Sequence, residues 1–149
     1  MRVGECCNRA VVVARRNTGI TQAAQLMREF HVGTLVVVDS DGERARPAGM
    51  VTDRDLVMEV LAECAPVDSL TVGDIMTSDI LTARLSDELL DTLDRMGEGG
   101  VRRVPVVDSD GGLAGILSVD DVLGMLADAV GRVPRLVRCQ LDSEAVRRP

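Results

Sequence analysis

The strongest constraint on the fold is a motif that the chain contains twice. Residues 49–55 read Gly-Met-Val-Thr-Asp-Arg-Asp, and residues 115–121 read Gly-Ile-Leu-Ser-Val-Asp-Asp. Both copies run glycine, two apolar residues, a hydroxyl residue, two variable residues and aspartate. An internal repeat constrains a fold more than a local pattern does, because each copy has to build the same structural unit. We therefore expect two equivalent units, each with a hydroxyl and a carboxylate at the same position.

The repeat extends over most of the chain. Residues 3–42 align with residues 72–111 at an offset of 69, and the offset falls to 66 beyond them. The offset falls because the first copy has a longer segment, residues 43–48, where the second has only residues 112–114. A change of length between two apolar runs is typical of a hairpin loop. The sequence therefore predicts a hairpin at this point of each copy.

The length of the chain limits how the copies can fold. At 149 residues the chain has the size of one domain. Each copy, at about 65 residues, would be only marginally stable alone, so we expect the two copies to pack on each other. The predicted boundaries place the first copy at residues 1–66, the second at residues 67–130 and a basic C-terminal tail at residues 131–149.

Composition argues against several classes of function. The formal net charge is -7, which disfavours a duplex nucleic acid as a partner. The chain has no lysine, which excludes Schiff-base chemistry on a lysine, and Phe30 is its only aromatic residue, which excludes a base-stacking surface. No apolar run is long enough to span a bilayer and no signal segment precedes the first copy. We therefore expect a cytoplasmic protein with no membrane partner.

Few residues are suited to metal binding or to nucleophilic chemistry. The adjacent Cys6 and Cys7 lack the spacing of a zinc site, and Cys64, Cys139 and His31 have no ligand partners nearby in the sequence. Without a metal cluster or a nucleophile–base pair, we expect no enzymatic activity. His31 is expected to end a helix in a structural role. A thiol-based redox sensor that uses Cys6 and Cys7 stays open as an alternative function.

Hydrophobic periodicity predicts the order β-α-β-β-α in each copy. In the first copy we expect a strand at 11–13, a helix at 20–31 capped by Thr18, strands at 34–39 and 48–51, and a helix at 53–62. In the second we expect a helical turn at 72–76, a strand at 80–81, a helix at 87–96, strands at 103–108 and 113–117, and helices at 120–130 and 134–146. Pro105 predicts an edge or an irregular ladder position for its strand.

Residues 97–100, Gly-Glu-Gly-Gly, have the composition of a phosphate-binding loop. Such a loop precedes a helix, because the amides at the N-terminus of that helix then face the anion. These residues instead follow a predicted helix. We therefore interpret them as the C-terminal cap of that helix, where glycine takes the left-handed conformation without strain.

The repeated motif has two interpretations. Thr52 with Asp55, and Ser118 with Asp121, have the spacing of a helix-capping box, in which hydroxyl and carboxylate bond each other's backbone amides. Each pair also lies at a strand-to-helix junction, where free amides and the helix dipole favour anions. A hydroxyl there can hold a phosphate oxygen, and a carboxylate one turn further on can accept two ribose hydroxyls. The sequence pattern leaves both interpretations open, and the two roles need not compete.

In this order, the motifs resemble a tandem pair of cystathionine β-synthase (CBS) domains, the arrangement called a Bateman module. The matching pieces are the two glycine motifs, residues 72–77 (Val-Gly-Asp-Ile-Met-Thr), residues 101–108 (Val-Arg-Arg-Val-Pro-Val-Val-Asp) and their counterpart, residues 32–39. The resemblance covers residues 3–130. It implies an α/β (α+β) fold in which two CBS repeats pack as a pseudo-twofold pair, as in stand-alone bacterial proteins of this kind.

The resemblance also implies a ligand. Modules of this family bind adenosine-containing molecules, such as AMP, ATP, NAD or S-adenosylmethionine, in clefts between the two repeats, and they require no separate cofactor. Carried over to this chain, Asp55 and Asp121 would hold ribose hydroxyls. Thr52 and Ser118 would contact phosphate or ribose.

Phosphate recognition is expected to differ between the copies. The resemblance assigns it to the start of the central strand, which is Arg102 and Arg103 in the second copy but Gly33 and Thr34 in the first. Arginine can pair with a phosphate bidentately, whereas glycine offers no side-chain donor. Arg54, beside the first motif, could replace the missing charge.

Two further expectations concern the arrangement of each cleft. We expect the cleft with Ser118 and Asp121 to contain the Arg102–Arg103 pair and therefore to prefer phosphorylated ligands. The resemblance implies that adenine faces the first strand of each copy, near Val13, Ala14, Thr82 and Ala83.

The function predicted is that of a non-enzymatic sensor of adenine nucleotides that forms a homodimer and acts on an unidentified downstream protein. The second helix of each copy has an apolar side that is too wide for one small unit, and in the family these helices form the dimer interface. The expected interface residues are Leu56, Val57, Val60, Val122, Leu123 and Leu126. An alternative is a structural dimerisation module whose clefts stay empty.

Overall fold

The computed structural model describes the backbone of residues 1–41 and 44–147, and the side chains of residues 1–40 and 44–134. Most of the predicted basic tail, including Cys139, therefore has side chains that lie outside the described residues. Within the described part, no helix combines the length and the hydropathy needed to cross a membrane.

Both copies fold with the same order of elements, helix-strand-helix-strand-strand-helix. The first copy comprises α1 (Val3–Cys6), β1 (Val13–Ala14), α2 (Ile20–Phe30), β2 (Thr34–Asp41), β3 (Arg44–Thr52) and α3 (Asp53–Asp55), which continues as π-helical turns over Leu56–Leu61. A 3-10 turn at Val67–Ser69 leads to the second copy: α4 (Val72–Ile75), β4 (Ala83–Arg84), α5 (Leu89–Glu98), β5 (Arg103–Val107), β6 (Leu113–Ser118) and α6 (Val119–Arg147). The terminal helix predicted at 134–146 is thus the continuation of α6.

Each copy forms one three-stranded sheet, and the predicted α+β class is confirmed. The strand orders are β1-β2-β3 and β4-β5-β6, with the first pair parallel and the second antiparallel in both sheets. The middle strands are the most buried, because helices cover them, and Leu35, Val37, Val104 and Val106 are inaccessible to solvent. Leu35 and Val37 belong to the core of the first copy, and Val104 and Val106 belong to the core of the second.

Two strand predictions need correction, and the prediction for Pro105 holds in one of its two forms. The first strands begin later than predicted, because only Val13–Ala14 and Ala83–Arg84 pair with the middle strands. The hairpin of the first copy is longer than predicted, since β3 begins at Arg44, which pairs with Asp41. Pro105 lies in a middle strand, so the predicted irregular ladder position is confirmed and the edge position is not. The ladder is irregular because β4 pairs with β5 only from Val106 onward and the pairing with β6 shifts register between Val106 and Val107.

The helices that precede the middle strands, α2 and α5, end in the same way. In α5, Val101 N donates to Met96 O at 3.0 Å, and Gly100 has a φ of 63°. This is a Schellman cap, so the predicted capping role of the glycine run is confirmed. In α2 the left-handed position belongs to His31, with a φ of 53°. Thr18 does not cap α2; its hydroxyl accepts a hydrogen bond from Arg15 N at 2.9 Å.

The last helix of each copy, which is α3 with its π-helical turns in the first and α6 in the second, has apolar residues in the core and on the surface. Val60 and Val122 are only 2% and 4% exposed, so the prediction that they form a dimer interface is wrong. Val122 instead packs in the core of the second copy. The apolar residues that remain exposed on these two helices include Val57, Met58, Leu61, Leu123, Leu126 and Val130.

The two copies exchange their short first helices. Val3 of α1 is buried in the second core, with Ala83 and Leu117, whereas Val72 of α4 is buried in the first core, with Ala14. Neither core is complete without a helix from the other copy. The expectation that the copies pack on each other is therefore confirmed. The predicted boundary at 66 separates the two sequence repeats but not the two cores, because each core includes a helix from the other side of that boundary.

The segment after each exchanged helix adds a short bridge to the other sheet. Met50 and Thr77 exchange backbone hydrogen bonds of 2.9 and 3.0 Å, and Asn8 and Ile116 do the same at 2.8 and 2.9 Å. These bridges bring the repeated motif of one copy against the opening segment of the other. The spaces between the copies lie beside them.

Candidate functional site

Two cavities lie between the copies. Cleft A has a volume of about 260 Å³ and cleft B of about 470 Å³. Ligand sites in proteins span roughly 300–1,000 Å³, so cleft B falls within this range and cleft A lies just below it. Cleft A is lined by Asn8, Ala10, Val11, Val12, His31, Val32, Gly33, Thr34, Arg103, Ile116, Ser118, Asp120 and Asp121. Cleft B is lined by Thr34, Met50, Thr52, Arg54, Asp55, Thr77, Asp79, Ile80, Leu81, Gly100, Val101, Arg102 and Arg103.

Each cleft combines the motif of one copy with the opening segment and central strand of the other. Asp55 of the first copy faces residues 77–81 and 100–103 of the second, and Asp121 of the second faces residues 8–12 of the first. The predicted grouping of Ser118 and Asp121 with both arginines is therefore wrong. It is wrong because the backbone bridges place each motif opposite the other copy, so that the arginine pair faces Thr52 and Asp55.

In the first motif, Thr52 and Asp55 bond each other. Asp55 Oδ2 accepts from Thr52 N at 2.7 Å and from Thr52 Oγ1 at 2.8 Å, and Asp55 N donates to Thr52 Oγ1 at 3.2 Å. This is a capping box, so that interpretation of the motif describes a real contact. It uses only one carboxylate oxygen. Asp55 Oδ1 makes no hydrogen bond within the described part of the chain, and Asp55 is one of the residues that line cleft B.

The second motif repeats this arrangement with one contact fewer. Ser118 Oγ donates to Asp121 Oδ2 at 2.8 Å and accepts from Asp121 N at 3.1 Å. Ser118 is buried, whereas Asp121 is exposed at the mouth of cleft A. Capping thus leaves one oxygen of Asp121 available, as it does for Asp55. Hydroxyl–carboxylate capping and ligand binding are compatible at both motifs.

The two clefts carry opposite charges. Cleft B is lined by three arginines, Arg54, Arg102 and Arg103, against the carboxylates of Asp55 and Asp79. Cleft A is lined by Arg103 alone against Asp120 and Asp121. Guanidinium groups are the planar donors that bind phosphate bidentately. Cleft B is consequently the one equipped for a phosphorylated ligand.

Asp120 holds the arginine pair at the start of β5. Asp120 Oδ1 accepts from Arg102 Nη2 at 2.8 Å, and Asp120 Oδ2 lies 3.3 Å from Arg103 Nη2. The equivalent position in the first copy is Arg54, and the positions equivalent to the two arginines are Gly33 and Thr34. A role was expected for Arg54 because its positive charge suits a phosphate, whereas the negative charge of Asp120 gave no reason to expect one.

A buried hydroxyl lies where the clefts meet. Thr34 and its counterpart Arg103 line both clefts. Thr34 is only 7% exposed, and its Oγ1 has no hydrogen-bond partner within the described residues. An unsatisfied buried hydroxyl is costly, so such a group in a cavity wall is a candidate contact for a ligand. The feature of the sequence that pointed to Thr34 was its position at the start of the central strand.

The residues expected to face adenine lie outside both clefts. Ala14 and Ala83 are buried in the cores, Val13 is not among the lining residues, and Thr82 lines a separate cavity beside Arg95. The clefts are lined instead by apolar residues that come just before these in the sequence. Examples are Val11 and Val12 in cleft A and Ile80 and Leu81 in cleft B.

The thiols and the histidine occupy different surroundings. Cys6 and Cys7 pack against the core of the second copy, and burial, followed by the charge of Glu5, raises the pKa of the Cys6 thiol. A raised pKa disfavours the reactive thiolate. His31 lines cleft A. No group of three or more potential metal ligands occurs among the described residues.

Comparison with protein families and related sequences gives consistent matches. The model of the CBS domain matches residues 3–62 and 72–128. The uncharacterized protein MK0525 of Methanopyrus kandleri is 33% identical over 121 residues, which cover 81% of this chain and 60% of that protein. Hypoxic response protein 1 of Mycobacterium tuberculosis is 34% identical over 115 residues, or 77% of this chain and 78% of that protein. The chain therefore spans less than two thirds of the first relative but most of the second.

Solved structures share the fold. A putative signal-transduction protein with CBS domains from Burkholderia ambifaria MC40-6 has a TM-score of 0.74 at 27% identity, covering 85% of this chain and 93% of that one. The CBS domain pair of protein MJ0100, in complex with 5′-methylthioadenosine and S-adenosyl-L-methionine, has a TM-score of 0.74 at 23% identity, covering 87% and 98%. At that identity the second likeness shows the fold alone.

Proposed function

Because the chain belongs to the CBS domain family, with copies at residues 3–62 and 72–128, we propose that it is a non-enzymatic regulatory module that binds an adenine nucleotide in cleft B. The observation that carries this proposal is the meeting of Asp55 with three arginines around one cavity of about 470 Å³. Asp55 and Arg54 come from the first copy, whereas Arg102 and Arg103 come from the second, so binding would depend on how the copies are arranged.

The proposed roles follow from the chemistry of each group. Asp55 Oδ1 would accept the ribose hydroxyls, because Oδ2 is already engaged by Thr52. Arg102 and Arg103 would bind the phosphate, with Arg54 at the rim. The hydrophobic part of the lining, Ile80, Leu81 and Val101, would cover the adenine ring, as apolar walls do in most small-molecule sites. The fold can accommodate adenosine ligands, since the MJ0100 structure contains two of them.

We also propose that the protein is a homodimer. The exposed apolar residues of α3 with its π-helical continuation and of α6 include Val57, Leu61, Leu123 and Leu126, each more than half exposed. Burying such residues against a second copy removes apolar surface from water and stabilises the assembly. A ligand between the copies can change the dimer only if it binds two arrangements with different affinity.

The proposed location is the cytoplasm. Cys6, Cys7 and Cys64 are all free thiols. Free thiols persist in a reducing compartment, whereas secreted proteins of this size commonly carry disulfides.

One observation favours the second candidate function, a dimerisation module whose clefts stay empty. The two arginines of cleft B already have an internal partner in Asp120, so they do not require a ligand for charge balance. The thiol-sensor alternative is weaker, because the raised pKa of Cys6 disfavours its thiolate.

The test is a ligand-dependent thermal shift on the wild type and Asp55→Asn, with Asp94→Asn as the matched control. Asp94 is exposed on α5 and lines no cleft. A ligand at about a hundred times its Kd adds about 2.7 kcal/mol, which corresponds to a rise of roughly 5–10 °C in Tm. We expect this rise with AMP, ATP or NAD for the wild type and the control, and its loss for Asp55→Asn. If no adenosine compound raises the Tm of the wild type, the empty-cleft alternative is correct.

A further inference from the structure

The ion pairs of Asp120 cross the wall between the two clefts. Asp120 lines cleft A, Arg102 lines cleft B, and Arg103 lines both. Asp120 Oδ1 accepts a hydrogen bond from Arg102 at 2.8 Å, and Asp120 Oδ2 accepts one from Arg103 at 3.3 Å. The carboxylate therefore occupies donors that a phosphate in cleft B would need.

This arrangement exists on only one side of the molecule. At the position of Asp120 the first copy has Arg54, and at the positions of the two arginines it has Gly33 and Thr34. The charge pattern of the second copy is thus absent from the first. Asp120 contributes a negative charge to cleft A while it partly neutralises cleft B.

Exposure limits the strength of these ion pairs. The side chains of Arg102 and Asp120 are 72% and 50% exposed, and that of Arg103 is 40% exposed. Ion pairs in such positions are weak, because solvent and salt screen them. A phosphate with two negative charges, bound bidentately, can therefore displace the single carboxylate.

We propose that Asp120 is a specificity-determining residue that competes with the ligand's phosphate for Arg102 and Arg103 and, once displaced, disfavours a second phosphate in cleft A. The proposal rests on the proposed function, since it assumes that cleft B binds a nucleotide. It assigns phosphorylated adenosine ligands to cleft B and uncharged or cationic ones to cleft A. A phosphorylated ligand in cleft B then leaves the released carboxylate of Asp120 beside Asp121 and cleft A.

The experiment is calorimetric titration of the wild type, Asp120→Asn and Asp128→Asn with AMP and with adenosine. Asp128 is an exposed residue of α6 that lines neither cleft, so its substitution makes the same charge change on the same helix. We expect Asp120→Asn to bind AMP on the order of three- to ten-fold more tightly, because the arginines lose their competitor. Adenosine affinity should stay within about two-fold, and Asp128→Asn should match the wild type.

A second set of variants tests whether the effect of Asp120→Asn on AMP affinity depends on Arg102 and Arg103. In Arg102→Ala/Arg103→Ala, the additional Asp120→Asn substitution should no longer increase AMP affinity, because the competed donors are absent. The proposal is overturned if Asp120→Asn binds AMP no more tightly than the wild type, or if Asp128→Asn gains as much. In those cases AMP still binds and the proposed function stands. Absence of AMP and adenosine binding to all the proteins would overturn this proposal, and the proposed function would be overturned with it only if ATP and NAD also failed to raise the Tm of the wild type.

Discussion

Gly49 lies against the backbone of Thr77, so close that a β-carbon on it would stand 2.7 Å from the Thr77 carbonyl oxygen. The same relationship holds between Gly115 and Asn8 O, at 2.8 Å. The glycine that begins each motif therefore allows the other copy's opening segment to approach, which forms one wall of each cleft. The motif combines this packing requirement with the chemistry of its hydroxyl and carboxylate.

We expect Gly49→Ala to destabilise the protein by about 1–3 kcal/mol, because the added methyl group overlaps backbone that has little freedom to move. The expected fall in Tm is roughly 2–4 °C per kcal/mol. Gly97→Ala is the control, since Gly97 lies within α5 with open space around its β-position. That control should be neutral or up to about 1 kcal/mol more stable. Equal Tm values for the two variants in calorimetry would refute the close approach.

The orphaned hydroxyl of Thr34 predicts opposite effects on stability and on binding. Thr34→Val should raise the free energy of unfolding without ligand by about 1 kcal/mol, because an unsatisfied buried polar group is removed. The same variant should lose affinity for a ligand that the Thr34 hydroxyl contacts. Thr34→Ser keeps the hydroxyl and should retain affinity. Urea unfolding and titration measure the two effects, and a less stable Thr34→Val would show that the hydroxyl has a partner inside the protein.

If the protein is a dimer, charged residues introduced into the exposed apolar surface of its last helices should halve its mass in solution. Leu61→Glu/Leu126→Glu should be monomeric in light scattering, because an unpaired buried carboxylate is strongly unfavourable in an interface. Both side chains are exposed within one copy, at 67% and 51%, so the variant should keep its fold. Leu90→Glu, at an equally exposed site on α5, is the control and should stay dimeric. A monomeric wild type would contradict the prediction.

The carboxylate of Asp108 is expected to make the free energy of unfolding depend on pH. Its carboxylate accepts from Gly112 N at 2.8 Å and Asp110 N at 2.9 Å, and these bonds, the Gly112 contact first, hold its pKa below the usual range. A lowered folded-state pKa stabilises the protein at pH values above the unfolded-state pKa of about 3.9. That contribution is lost as the pH falls through the folded-state pKa.

Asp108→Asn should therefore have a lower Tm than the wild type at pH 7, and the gap should narrow below about pH 4. Melting curves over this range measure it. Asp94→Asn, at an exposed site on α5 that makes no ion pair among the described residues, controls for the general loss of a negative charge. A gap that is constant with pH would mean that the asparagine acts through its shape and not through the lost charge.

The sequence predicted the fold well because the repeat was complete. Residues such as Leu35 and Val104 occupy equivalent positions, and the glycine run after α5 has the capping role predicted for it. The exchange of α1 and α4 could not be predicted, since Val3 and Val72 have the same local pattern whether they pack on their own copy or on the other. That exchange decides which motif faces which strand.

The grouping of the site residues failed for the same reason. Thr52, Asp55, Ser118 and Asp121 all line a cleft, but a comparison within each copy paired the arginines with the wrong motif. Val60 and Val122 were expected in an interface because an apolar helix side does not reveal which of its residues face the core. Asp120 of α6 could not be identified from the sequence, since its role depends on its distance from two arginines at the start of β5.

The most direct test of the account compares AMP with adenosine on the wild type and on Arg102→Ala/Arg103→Ala by calorimetric titration. Arg28→Ala, which removes an exposed arginine of α2 that lines neither cleft, is the control. Hydrogen bonds to charged groups contribute about 1.5–3 kcal/mol, so the wild type and the control should prefer AMP by about ten- to a hundred-fold. The double variant should lose most of this preference and keep its affinity for adenosine. An unchanged preference for AMP in the double variant would show that cleft B is not the phosphate site.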